Sequence, residues 1–82
     1  MIKVKIYSTG TCGYCKAEKA FLDEHNIVYE EARADLDPKV LEELKKLSGQ
    51  LGVPFTVITK EDGEKENILG FNQQKLSEAL GI

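Results

Sequence analysis

Cysteine, histidine and tryptophan are scarce in this sequence, and their scarcity excludes several kinds of site. The 82 residues contain two cysteines, one histidine and no tryptophan. A Cys-x-x-Cys spacing also occurs in half of a structural zinc site, but such a site needs four ligands. The second half is missing, because the only histidine, His25, lies at the far end of the helix that Cys12 is predicted to begin. We therefore predict no metal site built within the chain.

An excess of positive charge and long apolar runs are lacking as well. The 11 lysines and arginines against 14 aspartates and glutamates leave a net charge of −3, which argues against binding to nucleic-acid phosphates. No apolar run approaches the roughly 20 residues that a membrane-spanning helix needs. The N-terminal Met-Ile-Lys leads into a strand-like pattern and not into a secretory signal. We expect a cytoplasmic protein that binds neither nucleic acid nor membrane.

The two cysteines lie in one short stretch, residues 11–16, which reads Thr-Cys-Gly-Tyr-Cys-Lys, follows an apolar run and opens a helical pattern. Unpaired backbone N–H groups and the helix dipole favour negative charge at a helix start, and therefore favour the thiolate form of Cys12. The thiolate is the nucleophile, and Cys15 lies one turn further in, where it is more shielded. A permanent disulfide is not expected in the cytoplasm. The pair therefore predicts a thiol–disulfide exchanger in which Cys12 attacks and Cys15 resolves.

The hydrophobic pattern predicts seven elements in the order β-α-β-α-β-β-α. Alternation indicates strands, and apolar residues three or four positions apart indicate helices. The first helix is expected to bury Ala17, Ala20 and Phe21. The predicted strands cover residues 2–8, 27–32, 54–60 and 65–69. The predicted helices cover residues 13–24, residues 38–48 with Asp37 as N-cap and Gly49 as C-cap, and a last segment after residue 72.

The connections between these elements predict how they are arranged. The first β-α-β unit should be a right-handed crossover with two parallel strands. Asp62-Gly63 is a hairpin signal, so the last two strands should be antiparallel. The many charged residues of 65–69 are typical of a sheet edge. We predict a single α/β domain, residues 1–82, with a four-stranded mixed sheet covered by helices on both faces.

A second stretch of interest is Gly52-Val53-Pro54-Phe55. Proline cannot donate a ladder hydrogen bond, so Pro54 must sit at the start of its strand or where pairing stops. From the residues alone a trans bond is expected before Pro54, because only about 5% of such bonds in folded proteins are cis.

The cysteine pair followed by Val53-Pro54, in this element order, resembles the thioredoxin fold. The short length and the tyrosine between the cysteines resemble the glutaredoxins. Residues 48–54 and Leu69-Gly70-Phe71 resemble, more narrowly, the glutaredoxin-like YruB proteins and the NrdH-type redoxins. The resemblance implies a cis bond before Pro54 that faces the disulfide, with the backbone of Val53 pairing with an extended substrate. The substrate-binding residues that it implies are Thr11, Gly13, Tyr14, Val53, Pro54, Gly70 and Phe71.

Three positions depart from the pattern of the glutathione-using members. Thr9 stands where those proteins have a lysine, and Gln73 and Gln74 stand where they tend to have acidic residues. Loss of these charges predicts a weakened glutathione site, and the Gly-Phe pair points to redoxins served by a flavoprotein reductase. We expect a monomer that holds no cofactor beyond the redox-active disulfide Cys12-Cys15. Its partners would be disulfide-containing protein substrates, with glutathione or thioredoxin reductase as the electron donor.

Gly13, where many glutaredoxins have proline, leaves a second function open. Some family members with a small residue at this place hold an iron–sulfur cluster between two chains, although the missing glutathione charges count against it here. A redox-inert interaction domain is a third possibility, which the presence of both cysteines disfavours. For Tyr14 and Phe71, simple packing and substrate contact remain equally good interpretations, because aromatic side chains serve both purposes.

Overall fold

The computed structural model describes residues 2–49 and 52–82 of the chain, and it has the predicted order of elements. Gln50 and Leu51, which belong to the stretch that carries the family resemblance, lie outside the described residues. The elements are β1 Lys3–Ser8, α1 Gly13–Glu24, β2 Glu30–Arg33, α2 Pro38–Ser48, β3 Phe55–Thr59, β4 Lys65–Leu69 and α3 Gln73–Leu80.

The second strand starts later than the sequence pattern predicts. The prediction began it at Ile27, but β2 begins at Glu30. The N–H of Ile27 donates to the carbonyl of Leu22 at 2.9 Å, and Asn26 has a positive φ of 55°. Residues just after α1 therefore still satisfy its last carbonyl groups, and the chain becomes extended only after them.

The four strands form one mixed sheet in the order β2-β1-β3-β4. The pairing of β1 with β2 is parallel and that of β3 with β4 is antiparallel, both as predicted. The strand β1 also pairs with β3 in the antiparallel direction, which the sequence analysis did not predict. The register sets Phe55 opposite both Tyr7 and Leu69. The end of β1, the start of β3 and the end of β4 therefore meet, and we call this region the cysteine end of the sheet, because β1 leads from it to the cysteine pair.

Helices cover both faces of the sheet, as predicted. Alternate strand residues point to opposite sides, so each face presents apolar side chains on which a helix can pack. Val40, Leu41 and Leu44 of α2 pack on one face, and Leu22 of α1 and Leu76 of α3 pack on the other. The buried core on the α2 side consists of Tyr7, Ala32, Ala34, Leu44, Phe55 and Val57, and that on the side of α1 and α3 consists of Val4, Leu22, Ile58, Ile68 and Leu76.

The predicted boundaries of α2 are confirmed by its caps. The side chain of Asp37 accepts a hydrogen bond from the N–H of Lys39 at 2.9 Å, and Pro38 is the first helical residue. Gly49 ends the helix with φ 75°, in the left-handed region that glycine enters without steric cost.

Across residues 2–49 and 52–82, no helix is long and apolar enough to cross a membrane.

The predicted buried face of α1 is wrong at Ala17 and Ala20, whereas Phe21 is partly buried and packs against the core on the side of α1 and α3. Ala17 and Ala20 are exposed, and the fully buried positions are Cys15, Glu18 and Leu22. These three follow each other at spacings of three and four, so they also form one helical stripe. The sheet accepts Glu18 inside because Thr56 on β3 offers its hydroxyl to the carboxylate.

Candidate functional site

The turn between β1 and α1 places the two cysteines at the helix start. Cys12 is the N-cap of α1, with extended backbone, and its sulfur accepts a hydrogen bond from the N–H of Cys15 at 3.0 Å. The two residues are joined by a disulfide, with their Cα atoms 5.3 Å apart. The N-terminal placement that the sequence predicts is thus present, and the first turn of the helix directs a backbone donor at Cys12.

The two cysteines differ in exposure. Cys12 is half-buried, whereas Cys15 is 0% exposed. Thr11 and Gly13, on either side of Cys12, are exposed, and a methyl group built on Gly13 would meet no atom within 4 Å. An incoming molecule can therefore approach Cys12, while the protein encloses Cys15.

An acidic residue after β2 anchors the turn that precedes Cys12. The carboxylate of Asp35 accepts a hydrogen bond from the N–H of Gly10 at 3.0 Å, and Arg33 donates two bonds to the same carboxylate, each of 2.8 Å. The Arg33 bonds, helped by the Gly10 N–H, hold the pKa of Asp35 well below its usual range. A side chain at residue 10 would come within 2.5 Å of the Arg33 guanidinium, so glycine allows this close approach.

Replacing Asp35 by alanine is expected to loosen this turn. The variant removes the acceptor of the Gly10 N–H, so hydrogen exchange of the Gly10 amide should accelerate several-fold. Amide exchange followed by NMR would measure the change. Asp62→Ala is the matched control, because it removes a side-chain acceptor from the N–H of Glu64 in the hairpin at the opposite end of the sheet. Equal exchange of Gly10 in both variants would show that Asp35 does not hold the turn.

Pro54 and Gly70 approach the cysteine end of the sheet from the other side. The Val53–Pro54 peptide bond is cis, as the family resemblance implies. Pro54 is buried directly before Phe55, which pairs with Tyr7 near the end of β1. The N–H of Gly70 donates to the carbonyl of Pro54 at 2.8 Å, with Gly70 at φ 79°. The fold thus brings these residues to the same end of the sheet as the cysteine turn.

The surroundings of Tyr14 and Phe71 differ, although from the sequence packing and substrate contact are equally good interpretations of both. Tyr14 is 72% exposed, so it does not serve as a core residue. Phe71 is half-buried and packs edge-on against Phe21, with the ring centroids 6.0 Å apart. His25 also packs against Phe21, at 4.7 Å, at the C-terminal end of α1 and away from the cysteines. Of these two rings, that of Tyr14 is exposed to solvent and that of Phe71 packs against Phe21.

Glu18 is a residue of this region that the sequence interpretation missed. It is 0% exposed, and its Oε2 accepts a hydrogen bond from the hydroxyl of Thr56. No described residue donates to its Oε1. Burial raises the pKa of Glu18 to about 7, against the lowering effect of the Thr56 bond. The available signal was its spacing, three residues after Cys15 and four before Leu22.

The fold and the cysteine pair together define a class of protein, the redox proteins of the thioredoxin-like fold. The crystal structure of a thioredoxin-like protein matches with a TM-score of 0.80 and 30% identity, over 94% of this chain and 99% of that one. The family model described as Glutaredoxin matches residues 4–62. The chain belongs to the glutaredoxin family, which confirms the resemblance drawn from the cysteine pair, the Val-Pro and the Gly-Phe.

Two relatives agree with this family assignment. A glutaredoxin-like 8.6 kDa protein in a rubredoxin operon of Clostridium pasteurianum is 39% identical over 77 residues, which are 94% of this chain and 96% of that one. The glutaredoxin-like protein NrdH of Lactococcus lactis subsp. lactis is 37% identical over 59 residues, which are 72% of this chain and 78% of that one. The similarity therefore includes the NrdH type of glutaredoxin-like protein.

Proposed function

We propose that this protein is a small dithiol–disulfide oxidoreductase that reduces protein or low-molecular-weight disulfides through residues 12–15. The observation that carries the proposal is the disulfide between an accessible Cys12 at a helix start and an enclosed Cys15. Membership of the glutaredoxin family supports it. The dithiol itself is the redox centre, so the reaction needs no bound cofactor.

The geometry supports different roles for the two sulfurs. In the reduced protein, the Cys15 N–H and the first turn of α1 favour the thiolate of Cys12, which attacks a substrate disulfide and forms a mixed disulfide. Cys15 then attacks Cys12 and releases the reduced product. Because Cys15 is enclosed, it meets its target only after Cys12 has been loaded.

The remaining site residues offer a surface beside Cys12 for an extended substrate. Thr11, Gly13 and Tyr14 are exposed around the attacking cysteine. The side chain of Val53 packs against the core on the α2 side, and its backbone would pair with a substrate strand. Gly70, whose N–H donates a hydrogen bond to the carbonyl of Pro54, would border the same surface. Such main-chain pairing suits substrates that share a disulfide but differ in side chains.

The electron donor in this proposal is a flavoprotein of the thioredoxin reductase type, in preference to glutathione. Thr9, Gln73 and Gln74 provide no charge where a glutathione carboxylate or amino group would bind. Arg33 lies near the cysteine turn, but Asp35 already neutralises its guanidinium. A missing charge-assisted hydrogen bond of about 1.5–3 kcal/mol weakens binding by roughly tenfold or more.

Turnover with the two donors at equal redox poise tests this preference. We expect faster reduction by NADPH with thioredoxin reductase than by glutathione with glutathione reductase. Thr9→Lys should raise glutathione turnover by about tenfold, because it restores one charge-assisted bond. Glu64→Gln is the control, since it changes the net charge equally at the opposite end of the sheet. Faster turnover of the unmodified protein with glutathione would refute the donor assignment while leaving the oxidoreductase proposal intact.

The competing function is the binding of an iron–sulfur cluster between two copies of the chain. The open space at Gly13 is compatible with a second chain near Cys12. Anaerobic purification followed by an absorption spectrum and gel filtration separates the two functions. We expect a colourless monomer, and a brown dimer that loses its colour in Cys12→Ser would favour the cluster.

A further inference from the structure

The sheet face that carries α2 has a groove at the end of the sheet opposite the cysteines. The strand register places Lys3 beside Thr59, and Thr59 beside Lys65, at this end. Alternate residues of a strand share a face, so Lys3 lies on the same side as Tyr7, which belongs to the core on the α2 side. The groove has a volume of about 530 Å³. This volume is within the range of sites that take a ligand or an inserted side chain.

Apolar side chains line a large part of this groove. Val57 of β3 is buried in the sheet, whereas Ile2 and Val28 on either side of the groove are exposed to solvent. Burial of apolar surface by a bound molecule is favourable by about 25 cal/mol per Å². Exposed apolar side chains that lie together, with polar residues around them, are typical of interaction sites.

Lysines border this apolar lining. Across the part of the chain that the structure describes, neither Lys3 nor Lys65 forms an ion pair, and both side chains are exposed. Lys5, which also lines the groove, already binds Glu43 at 3.0 Å and lies opposite Glu30 of β2. The groove therefore has an excess of positive charge, although the net charge of the chain is −3.

Protection of the sheet edge explains only one of the two unpaired lysines. Lys65 lies on β4, an edge strand, where charge discourages pairing with another chain. Lys3 lies on β1, an inner strand that needs no such protection. Lysine stems can also cover apolar surface, but Val28 is still 89% exposed beside them. A molecule that offers both an apolar group and negative charge would fit the whole groove.

We propose that this groove binds an acidic segment of a partner protein. One apolar side chain of the segment packs against Val28 and Val57. Carboxylates on either side of it pair with Lys3 and Lys65. An apolar anchor in a pocket with a polar rim is the arrangement that carries most of the affinity in protein interfaces, and the opposite charges speed association. The groove and Cys12 lie at opposite ends of the sheet, so a partner bound there leaves the cysteine accessible.

Fluorescence anisotropy of a labelled synthetic peptide tests the proposal. The peptide has a phenylalanine between pairs of glutamates, and two matched peptides replace either the phenylalanine by alanine or the glutamates by glutamine. We expect the first peptide to bind and each matched peptide to bind about tenfold more weakly. The double variant Lys3→Glu with Lys65→Glu should weaken binding of the first peptide by about tenfold, because both charge pairs are lost.

Lys39→Glu with Lys75→Glu is the matched control. It changes the net charge equally, but its positions lie on α2 and α3 and do not line the groove, so peptide binding should be unchanged. Equal weakening by the two double variants would overturn the proposal, because the peptide would then be attracted by overall charge alone. Failure of the unmodified protein to bind the first peptide would overturn it as well.

Val28→Ser tests the apolar contact without dependence on the folding of the variant, because Val28 contributes little to the core. We expect it to weaken peptide binding by roughly tenfold, and unchanged binding would refute an anchor at this place. Loss of peptide binding in Cys12→Ser would place the peptide at the cysteines and would overturn the proposal. Gel filtration tests for a second copy as the occupant, and a dimer that the Lys3→Glu with Lys65→Glu variant dissociates would also overturn it.

Discussion

Cys12→Ser is expected to abolish disulfide reduction, whereas Cys15→Ser is expected to stop the reaction at a stable mixed disulfide on Cys12. Serine cannot supply the attacking thiolate, so loss of Cys12 removes the first step. Loss of Cys15 leaves the accessible Cys12 in place and removes only the group that would release the product. The two variants should therefore fail at different steps, although neither completes a turnover.

Mass spectrometry distinguishes these outcomes directly. The Cys15→Ser protein, incubated with a substrate disulfide, should gain the mass of one substrate thiol on Cys12. In the reduced unmodified protein, brief alkylation at mildly acidic pH should label Cys12 and spare Cys15. A Thr59→Ser variant, at the opposite end of the sheet, serves as a control that should behave as the unmodified protein. Preferential labelling of Cys15 would reverse the assignment of the two roles.

The stability of the disulfide form is expected to fall by roughly 3 kcal/mol between pH 4.5 and pH 7 through Glu18 alone. Burial raises the pKa of Glu18 from 4.5 to about 7, so the folded protein keeps this proton over a range in which the unfolded chain loses it. Its contribution to stability is complete below pH 4.5 and is lost as pH rises through about 7. Each pKa unit corresponds to about 1.4 kcal/mol, which sets the size of the effect.

Comparison of the unmodified protein with Glu18→Gln isolates this contribution. Glu31 and Glu43 have lowered pKa values because of hydrogen bonds from Lys19 and Tyr7 respectively, but they are present in both proteins and cancel in the difference. The free energy of unfolding can be measured for both proteins by denaturant unfolding across this pH range. As pH rises, that of the unmodified protein should fall relative to that of Glu18→Gln. Parallel curves for the two proteins would mean that Glu18 titrates normally in the fold.

The amino-acid sequence was enough to predict the order of the elements, the parallel first pair of strands, the antiparallel last pair, and the placement of the cysteines at a helix start. These features depend on local signals that act within a few residues. Asp37 and Pro38 begin α2, and Gly49 ends it, because each satisfies or avoids a backbone group at its own position. The cis bond before Pro54 was available only through the family resemblance, since the residues alone favour trans.

Tertiary contacts set which side of α1 is buried and which groups hold the cysteine turn, and neither could be predicted from the sequence. Ala17 and Glu18 are neighbours in sequence, but contact with the sheet selects Glu18 because Thr56, 38 residues away, supplies a hydroxyl at that place. Gly10 is likewise held by Asp35, 25 residues later in the chain. Strand pairing brings such distant residues into contact. No local pattern of hydrophobicity or charge in the sequence predicts these contacts. The local sequence places Cys12 at a helix start, and the packing of α1 on the sheet buries Glu18 against Thr56.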